Sequence, residues 1–565
     1  MKCAYATQFS HLGDKMAENQ LGPQYLVLPE GSTRLLGRDA QRTNIAVGIA
    51  VANAVKTTLG PKGMDKMMVS DLGDIVITND GATILEEMNV EHPVAKIMVD
   101  IAKTQDREVG DGTTTVVVMA GELLKGAGEL LEQGVHPTTV IKGYKIAAQK
   151  AEEILKKSAK EVNISDEALL QKIASVSMGS KNVGDESVKA YLSKLVIKSV
   201  KQVVDKNSSG KLIVDKDYIK IEKKTGGTIA DTQLISGVLV DKEIAHPGMP
   251  KSTKNAKIAL LDVALEIEKT ETDAKIEITS PEQMQAFLQQ EEHMLKEMVE
   301  KIKKSKANFV VTQKGIDDVA QHYLSKAGIA AIRRVKKSDI EKIAKATGAK
   351  IVTSLDDLEE QDLGFAGLAE ERKVAGEQMV FIENCKNPKS VTLFIRGGTQ
   401  QVVDEVERSL VDVIGAITSV VEDGKYVSGG GSIETEIANE IRNYSNSVGG
   451  REQLAIQKFA DALEIIPKTL AESAGMDAID TLVQLRNKHR TKDGMSYGID
   501  IYKNNISDMA KQGIFEPMRV KMQAIYSASE AAEIILRIDD MISARAKGGP
   551  GGGMGGGMPP GGEME

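Results

Sequence analysis

Four glycine-punctuated stretches of this 565-residue chain could handle a phosphate group. In Gly110-Asp111-Gly112-Thr113-Thr114-Thr115 a tight turn feeds a helical run over 116–132. The free N–H groups and dipole of a helix start attract anions, and threonine hydroxyls add donors. Asp111 would repel a phosphate unless a cation lay between them, and Mg²⁺, a hard ion that prefers oxygen, would resolve the conflict. The alternative is a threonine-capped helix, but an Asp between two glycines has little structural purpose. Thr58-Leu59-Gly60-Pro61-Lys62-Gly63 would let backbone approach a phosphate without a Cβ in the way, and reads equally as a helix end followed by proline. Asn79-Asp80-Gly81 is either a plain turn or a turn tip presenting a carboxylate. Gly429-Gly430-Gly431 suits backbone passing close to a base or ribose, or a flexible loop. No Gly-x-x-x-x-Gly-Lys-Ser/Thr occurs, so this is not a P-loop enzyme.

The elements that must hold these stretches follow from periodicity and breakers. Helical spacing covers 39–59, 93–107 and 137–162, the last two opening at Pro93 and Pro137. A short β-type run, 74–78, precedes the Asn79 turn. After about residue 210, strands are expected at 211–214, 219–222, 237–240, 258–263 and 391–395, with helices at 281–306 and 402–421. The remainder to about 545 reads as mostly helical. In 281–306, Ser280 can cap, Pro281 suits the first position and Gln283 completes a capping box. There Met284, Phe287, Leu288, Met294, Leu295, Met298, Val299 and Ile302 form one apolar stripe. The pattern is of two helix-rich ends around an inserted α/β middle. Residues 548–565 are a Gly/Met/Pro tail without the means to form a core.

Composition narrows the function. The net charge is −9 with no basic run, which argues against nucleic acid as a partner. No apolar run approaches a membrane span, and the polar first twenty residues lack a signal-peptide core. Cys3 and Cys385 make no metal spacing or disulfide framework, so a reducing cytoplasm is expected. His92 and His136 read as surface residues.

Together the motifs resemble the chaperonins. The stretches TLGPKGMDKMMVSDLGDIVITNDGATIL (58–85), VGDGTTTVVVMAGELL (109–124), QGVHPTTVIKGY (133–144) and VEDGKYVSGGG (421–431) are similar to the archaeal and eukaryotic-cytosolic type, group II, over nearly the whole chain. Residues 1–20 extend beyond that pattern and Ser496 to Asn505 departs from it.

The resemblance implies a multidomain α+β fold. A helical equatorial ATP-binding domain (21–165 and 423–546) would be joined through a small intermediate hinge domain (166–236 and 389–422). The α/β apical domain would be inserted at 237–388, with a helical protrusion at about 275–306. A terminal extension (1–20) and a disordered tail (547–565) would flank them. It implies Mg²⁺-dependent ATP hydrolysis and two stacked rings, commonly of eight or nine subunits. Unfolded client proteins would be enclosed under a built-in lid whose tip is the first part of helix 281–306, while residues 294–302 would pack on their own domain. Residue by residue, Thr58, Leu59, Gly60 and Pro61 resemble the loop around the nucleotide. Asp111 resembles the Mg²⁺ ligand, and Gly112, Thr113, Thr114 and Thr115 the phosphate cradle. Asp80, beside Gly81, and Asp412 resemble the carboxylates that orient the attacking water. Lys181 resembles the lysine that senses the γ-phosphate, and Gly430 and Glu516 the ribose and base contacts. Asp412 taken alone reads as a solvated helix charge.

Overall fold

A run of cap signals sets where the helices of this chain begin. The computed structural model describes residues 33–69, 73, 75–181, 183–267, 280–386, 388–491 and 493–543. The expected extension at 1–20, the tail at 547–565 and the first part of the protrusion, 275–279, lie outside these. Pro93–Val109 and Pro137–Ser158 each start at proline, and His92 and His136 cap them by accepting the Val94 and Thr138 N–H groups at Nδ1. Both histidines are thus helix caps. The helix after Pro137 stops at Ser158, and Lys160–Glu161 joins a small sheet with Lys425–Ser428 and Phe515–Pro517. Long-range pairing ends a helix that local periodicity carries on to 162.

Two units are described separately. In the smaller one, residues 1–44 and 537–565, Thr33–Leu36 pairs antiparallel with Asp540–Ser543, and Arg34 chelates Asp540. The larger, 45–536, holds three principal hydrophobic cores.

The first core draws on both ends of this unit. Helices Pro93–Val109, Thr113–Glu132 and Pro137–Ser158 pack with Ser432–Ser445, Glu452–Leu463, Ile465–Ser473 and Met518–Leu536. Thr113–Glu132 is buried on nearly every face, which fixes its start. With no tryptophan, the aromatic centre is Tyr144 edge-on to Phe459, its hydroxyl donating to the Leu123 carbonyl at 2.7 Å. Short strands Tyr497–Asp500 and Asn505–Asp508 form a hairpin inside the stretch that reads as helical. Four-residue strands carry too little periodicity to be distinguished there.

The middle core, 238–385, is a mixed sheet. Ser252–Leu261 pairs parallel with Phe309–Thr312 and Ile351–Val352 and antiparallel with Gly364–Val374, which continues to Glu377–Glu383 and Val238–Val240. Helix Pro281–Lys304 changes character along its length. Leu295, Val299 and Ile302 are buried in this core, whereas Met284, Phe287, Leu288 and Met294 are exposed. The third core joins helices Glu167–Ser177, Glu186–Val203 and Gln400–Asp423 to a sheet of Ile219–Thr225, Val391–Gly397 and Gln233–Ile235.

Candidate functional site

Among the described residues two helices have glycine as the N-cap, and both starts border one cleft. Thr113–Glu132 has Gly112 at its N-cap and Ser432–Ser445 has Gly431, neither with a side-chain cap. Their first N–H groups therefore lack the usual side-chain acceptor and suit a bound anion. Gly110 closes helix Pro93–Val109 at φ 71° and Gly112 follows at φ 82°, so both flanks of Asp111 need left-handed backbone. Around this start Thr113, Thr114 and Thr115 are buried, and Thr58 Oγ1 lies 3.3 Å from Thr114 Oγ1. A Cβ on Gly81 would sit 2.8 Å from the Thr114 nitrogen, so only glycine lets the Asp80 turn come this close.

Three carboxylates and one lysine meet beside that start. Lys181 Nζ is 2.7 Å from Asp412 Oδ2 and 4.0 Å from Asp80 Oδ1. Asp80 caps helix Gly81–Glu87, its Oδ2 accepting from Thr83 N and Oγ1, both at 2.8 Å, while its Oδ1 accepts from Thr113 Oγ1 at 2.9 Å. Asp111 accepts from Gly112 N at 2.6 Å and from Ser177 Oγ at 2.7 Å. Burial alone would push Asp80 up, but Lys181, Thr83 and Thr113 outweigh it and hold it below the usual carboxylate range. Burial acts on Asp412 most strongly. With Asp80 and Asp111 it overcomes Lys181, and the Asp412 carboxyl sits well above the usual range. Burial also opposes the Lys181 ammonium, yet Asp412 and Asp80 keep its pKa raised. One cation for three carboxylates leaves the cluster net negative.

Among the described residues no group of three or more His, Cys, Asp or Glu forms a metal cluster. Mg²⁺ does not require one, since it commonly takes one or two carboxylates with substrate phosphates and keeps several waters. A single Asp111 carboxylate beside a cap-free helix start fits that ion.

The cleft also has an apolar lining and one largely buried ion triad. Ile466, Leu470, Ile499, Ile501, Met509 and Phe515 line it. Val427 pairs with Glu516 across Lys425–Ser428 and Phe515–Pro517, and a Cβ on Gly429 would lie 2.5 Å from Glu516 Oε1. Lys521 joins Glu516 to Glu434, which it meets at 2.8 Å. Burial, reinforced by Glu434 and Asp111, raises Glu516 against the pull of Lys521. The hairpin is tied in by Ile499 N donating to the Gly430 carbonyl at 2.8 Å.

Of the residues singled out from sequence, Thr58, Leu59, Gly60, Pro61, Asp80, Asp111, Gly112, Thr113, Thr114, Thr115, Lys181, Asp412, Gly430 and Glu516 all line this cleft, and Gly81 packs behind it. Residues that sequence reasoning missed hold them in place. Gln105 Nε2 donates to the carbonyls of Asp111 at 2.8 Å and Val520 at 3.2 Å. Ser177 holds Asp111, Thr83 holds Asp80, and Lys521 with Glu434 holds Glu516. Only Thr83, three residues past Asp80, carried a local capping signal.

The match to known proteins is extensive. The model of the TCP-1/cpn60 chaperonin family covers residues 51–546. The chain belongs to this family. The chaperonin is 60% identical over 523 residues to a thermosome subunit of Pyrococcus horikoshii, covering 93% of this chain and 94% of that one. It is 58% identical over 525 residues to a thermosome subunit of Methanopyrus kandleri (93% and 95% covered). A thermosome subunit beta of Thermococcus kodakarensis is 58% identical over 536 residues (94% and 97%). Among the described residues this chaperonin has no helix long and apolar enough to cross a membrane.

Proposed function

We propose that this chain is an ATP-dependent molecular chaperone: a cytoplasmic, group II chaperonin subunit of a double-ring assembly, binding unfolded proteins and enclosing them under its own lid. The observation that carries the reading is the cap-free start of helix Thr113–Glu132, faced by Asp80, Asp111, Lys181 and Asp412 in one cleft. In this reading 21–165 and 423–546 are the equatorial domain, 166–236 and 389–422 the intermediate domain, and 237–388 the apical domain. Each of the three cores draws its residues largely from one of these sets.

Phosphoryl transfer asks for positioning and charge neutralisation more than covalent chemistry. Gly112 to Thr115 and Thr58 to Pro61 cradle the phosphates, and Asp111 is the residue to hold Mg²⁺. When bound, that ion neutralises phosphate charge. Asp412 orients and deprotonates the attacking water. Asp80, three of whose acceptor positions are taken by Thr83 and Thr113, mainly sets the geometry of the pair. Lys181 bridges both carboxylates and is placed to respond to the γ-phosphate. Gly430 and Glu516 take the ribose and base end. Asp412 reaches the cleft from helix Gln400–Asp423 of the third core, so motion of that core against the first would gate hydrolysis.

The exposed Met284, Phe287 and Leu288 supply an adaptable apolar surface for clients and for neighbouring lids. Size-exclusion chromatography combined with a Mg²⁺-dependent ATPase assay tests the proposal. A ring-sized particle that hydrolyses ATP is expected, and a monomer, or a ring without hydrolysis, would contradict it.

A further inference from the structure

Asn79 precedes Asp80 in the tight turn, and the mechanism above gives it no task. It is 5% exposed, lines the cleft, and its Nδ2 donates to the Ser180 carbonyl. Its Oδ1 is buried with no partner among the described residues. Reversing the amide would set two oxygens against each other, so the hydrogen bond fixes its orientation. An orphaned buried acceptor costs stability. A side chain chosen for packing alone would not carry that cost, so the donor end is what the fold retains.

What the donor holds is the backbone leading into Lys181. Helix Glu167–Ser177 ends at Met178, and the chain turns through Gly179 N to the Val176 carbonyl and Lys181 N to the Met178 carbonyl, both at 3.0 Å. That ties the segment to its own helix. The Asn79 amide is a tie across to the turn that carries Asp80. Lysine has a long side chain with many rotamers, so its ammonium keeps a place between two carboxylates only if its backbone is fixed relative to both.

We infer that Asn79 is a positioning residue, fixing the Ser180-Lys181 backbone to the Asp80 turn so that Lys181 bridges Asp80 and Asp412 and couples nucleotide state to ring closure. The inference rests on the reading of Lys181 as the γ-phosphate-responsive group. Its readout is ATP-triggered closure, followed by protease protection and expressed per ATP hydrolysed.

The test is a double-mutant cycle on the assembled ring with Asn79→Ala, Lys181→Ala and the pair. Asn79→Ala is expected to lower closure per turnover by about tenfold, within the range that a misplaced group costs. ATP affinity should hold within about twofold, because the cradle at Gly112 to Thr115 is untouched. The double variant should be no worse than Lys181→Ala alone. Effects that multiply, or a wild-type Asn79→Ala beside a defective Lys181→Ala, overturn the inference while leaving the parent reading intact. A wild-type Lys181→Ala overturns both.

Should Asn79→Ala fail to assemble, Asn79→Asp carries the test. The ionised carboxylate has no proton to give Ser180, whereas the protonated acid has one. Its closure per turnover, taken as a ratio to wild type, should therefore rise as pH falls. A ratio independent of pH overturns the inference.

Discussion

Replacing Asp412 by alanine should separate hydrolysis from binding. Positioned proton acceptors contribute about 10²- to 10⁴-fold to rate, which corresponds to about 3–5 kcal/mol of barrier. A fall of that size in the single-turnover rate is expected. Binding should behave differently. Asp412 is one of the two carboxylates that Lys181 bridges, with Asp111 nearby, so its removal lessens the negative charge a nucleotide meets, and ATP affinity should hold or tighten. Stability should suffer modestly. Stranding a buried charge costs about 3–5 kcal/mol. Lys181, however, keeps Asp80 at 4.0 Å, where unit charges at an effective dielectric of about 20 still attract by about 4 kcal/mol. A loss below about 3 kcal/mol is therefore expected. The pH profile adds a check. Because burial, Asp80 and Asp111 raise Asp412, its reactive ionised form accumulates only as pH rises through a value above the ordinary carboxylate range. Wild-type turnover should climb with pH through that window, and Asp412→Asn should lose the limb. The assays are nucleotide binding by calorimetry and quenched single-turnover hydrolysis on the same preparation. Parallel loss of affinity and rate would refute the assignment, marking Asp412 as a structural partner of Lys181.

Asp111→Ala should raise the Mg²⁺ concentration needed for half-maximal ATP binding, measured by titrating Mg²⁺ at fixed ATP; an unchanged Mg²⁺ dependence would contradict its role. Gly415→Ala should lower turnover and destabilise by about 1–3 kcal/mol, the usual cost of overpacking. Its Cβ would lie 2.7 Å from Gly110 Cα and 2.6 Å from the Val109 carbonyl, pushing the Asp412 helix away from Gly110 and Asp111; thermal melting with an ATPase assay reads both effects. Replacing 275–290 by a short glycine linker should spare assembly and ATPase but abolish ATP-dependent protection of a client from protease. Retained protection would place the lid elsewhere.

How far the sequence was legible depended on whether the signal was local. Gly110 to Thr115 could be read as a phosphate-binding helix start because the turn, the hydroxyls and the helix are contiguous. The stripe of helix Pro281–Lys304 was visible too, with its change of role expected at 294; the fold starts burial at Leu295 and leaves Met294 exposed. Asp412 was opaque to direct reading. It is one acid on a long amphipathic helix, and its meaning comes from Lys181 and Asp80, more than 200 residues away. The family resemblance alone brought it forward. Gln105, Lys521 and Glu434 went unread because no motif marks them: Gln105 joins Asp111 to Val520, and Lys521 joins Glu516 to Glu434. The hairpin Tyr497–Asp500 and Asn505–Asp508 was missed because its strands are too short to show an alternating period.

The central claim, that hydrolysis in this cleft drives enclosure and folding of clients, is tested most directly by the yield of a chemically denatured enzyme refolded with the chaperonin and Mg²⁺-ATP. Wild type should restore the client's activity only with hydrolysable nucleotide, and Asp412→Ala should hold the client without releasing it folded. Equal yields from wild type and Asp412→Ala, or refolding that needs no nucleotide, would contradict the account.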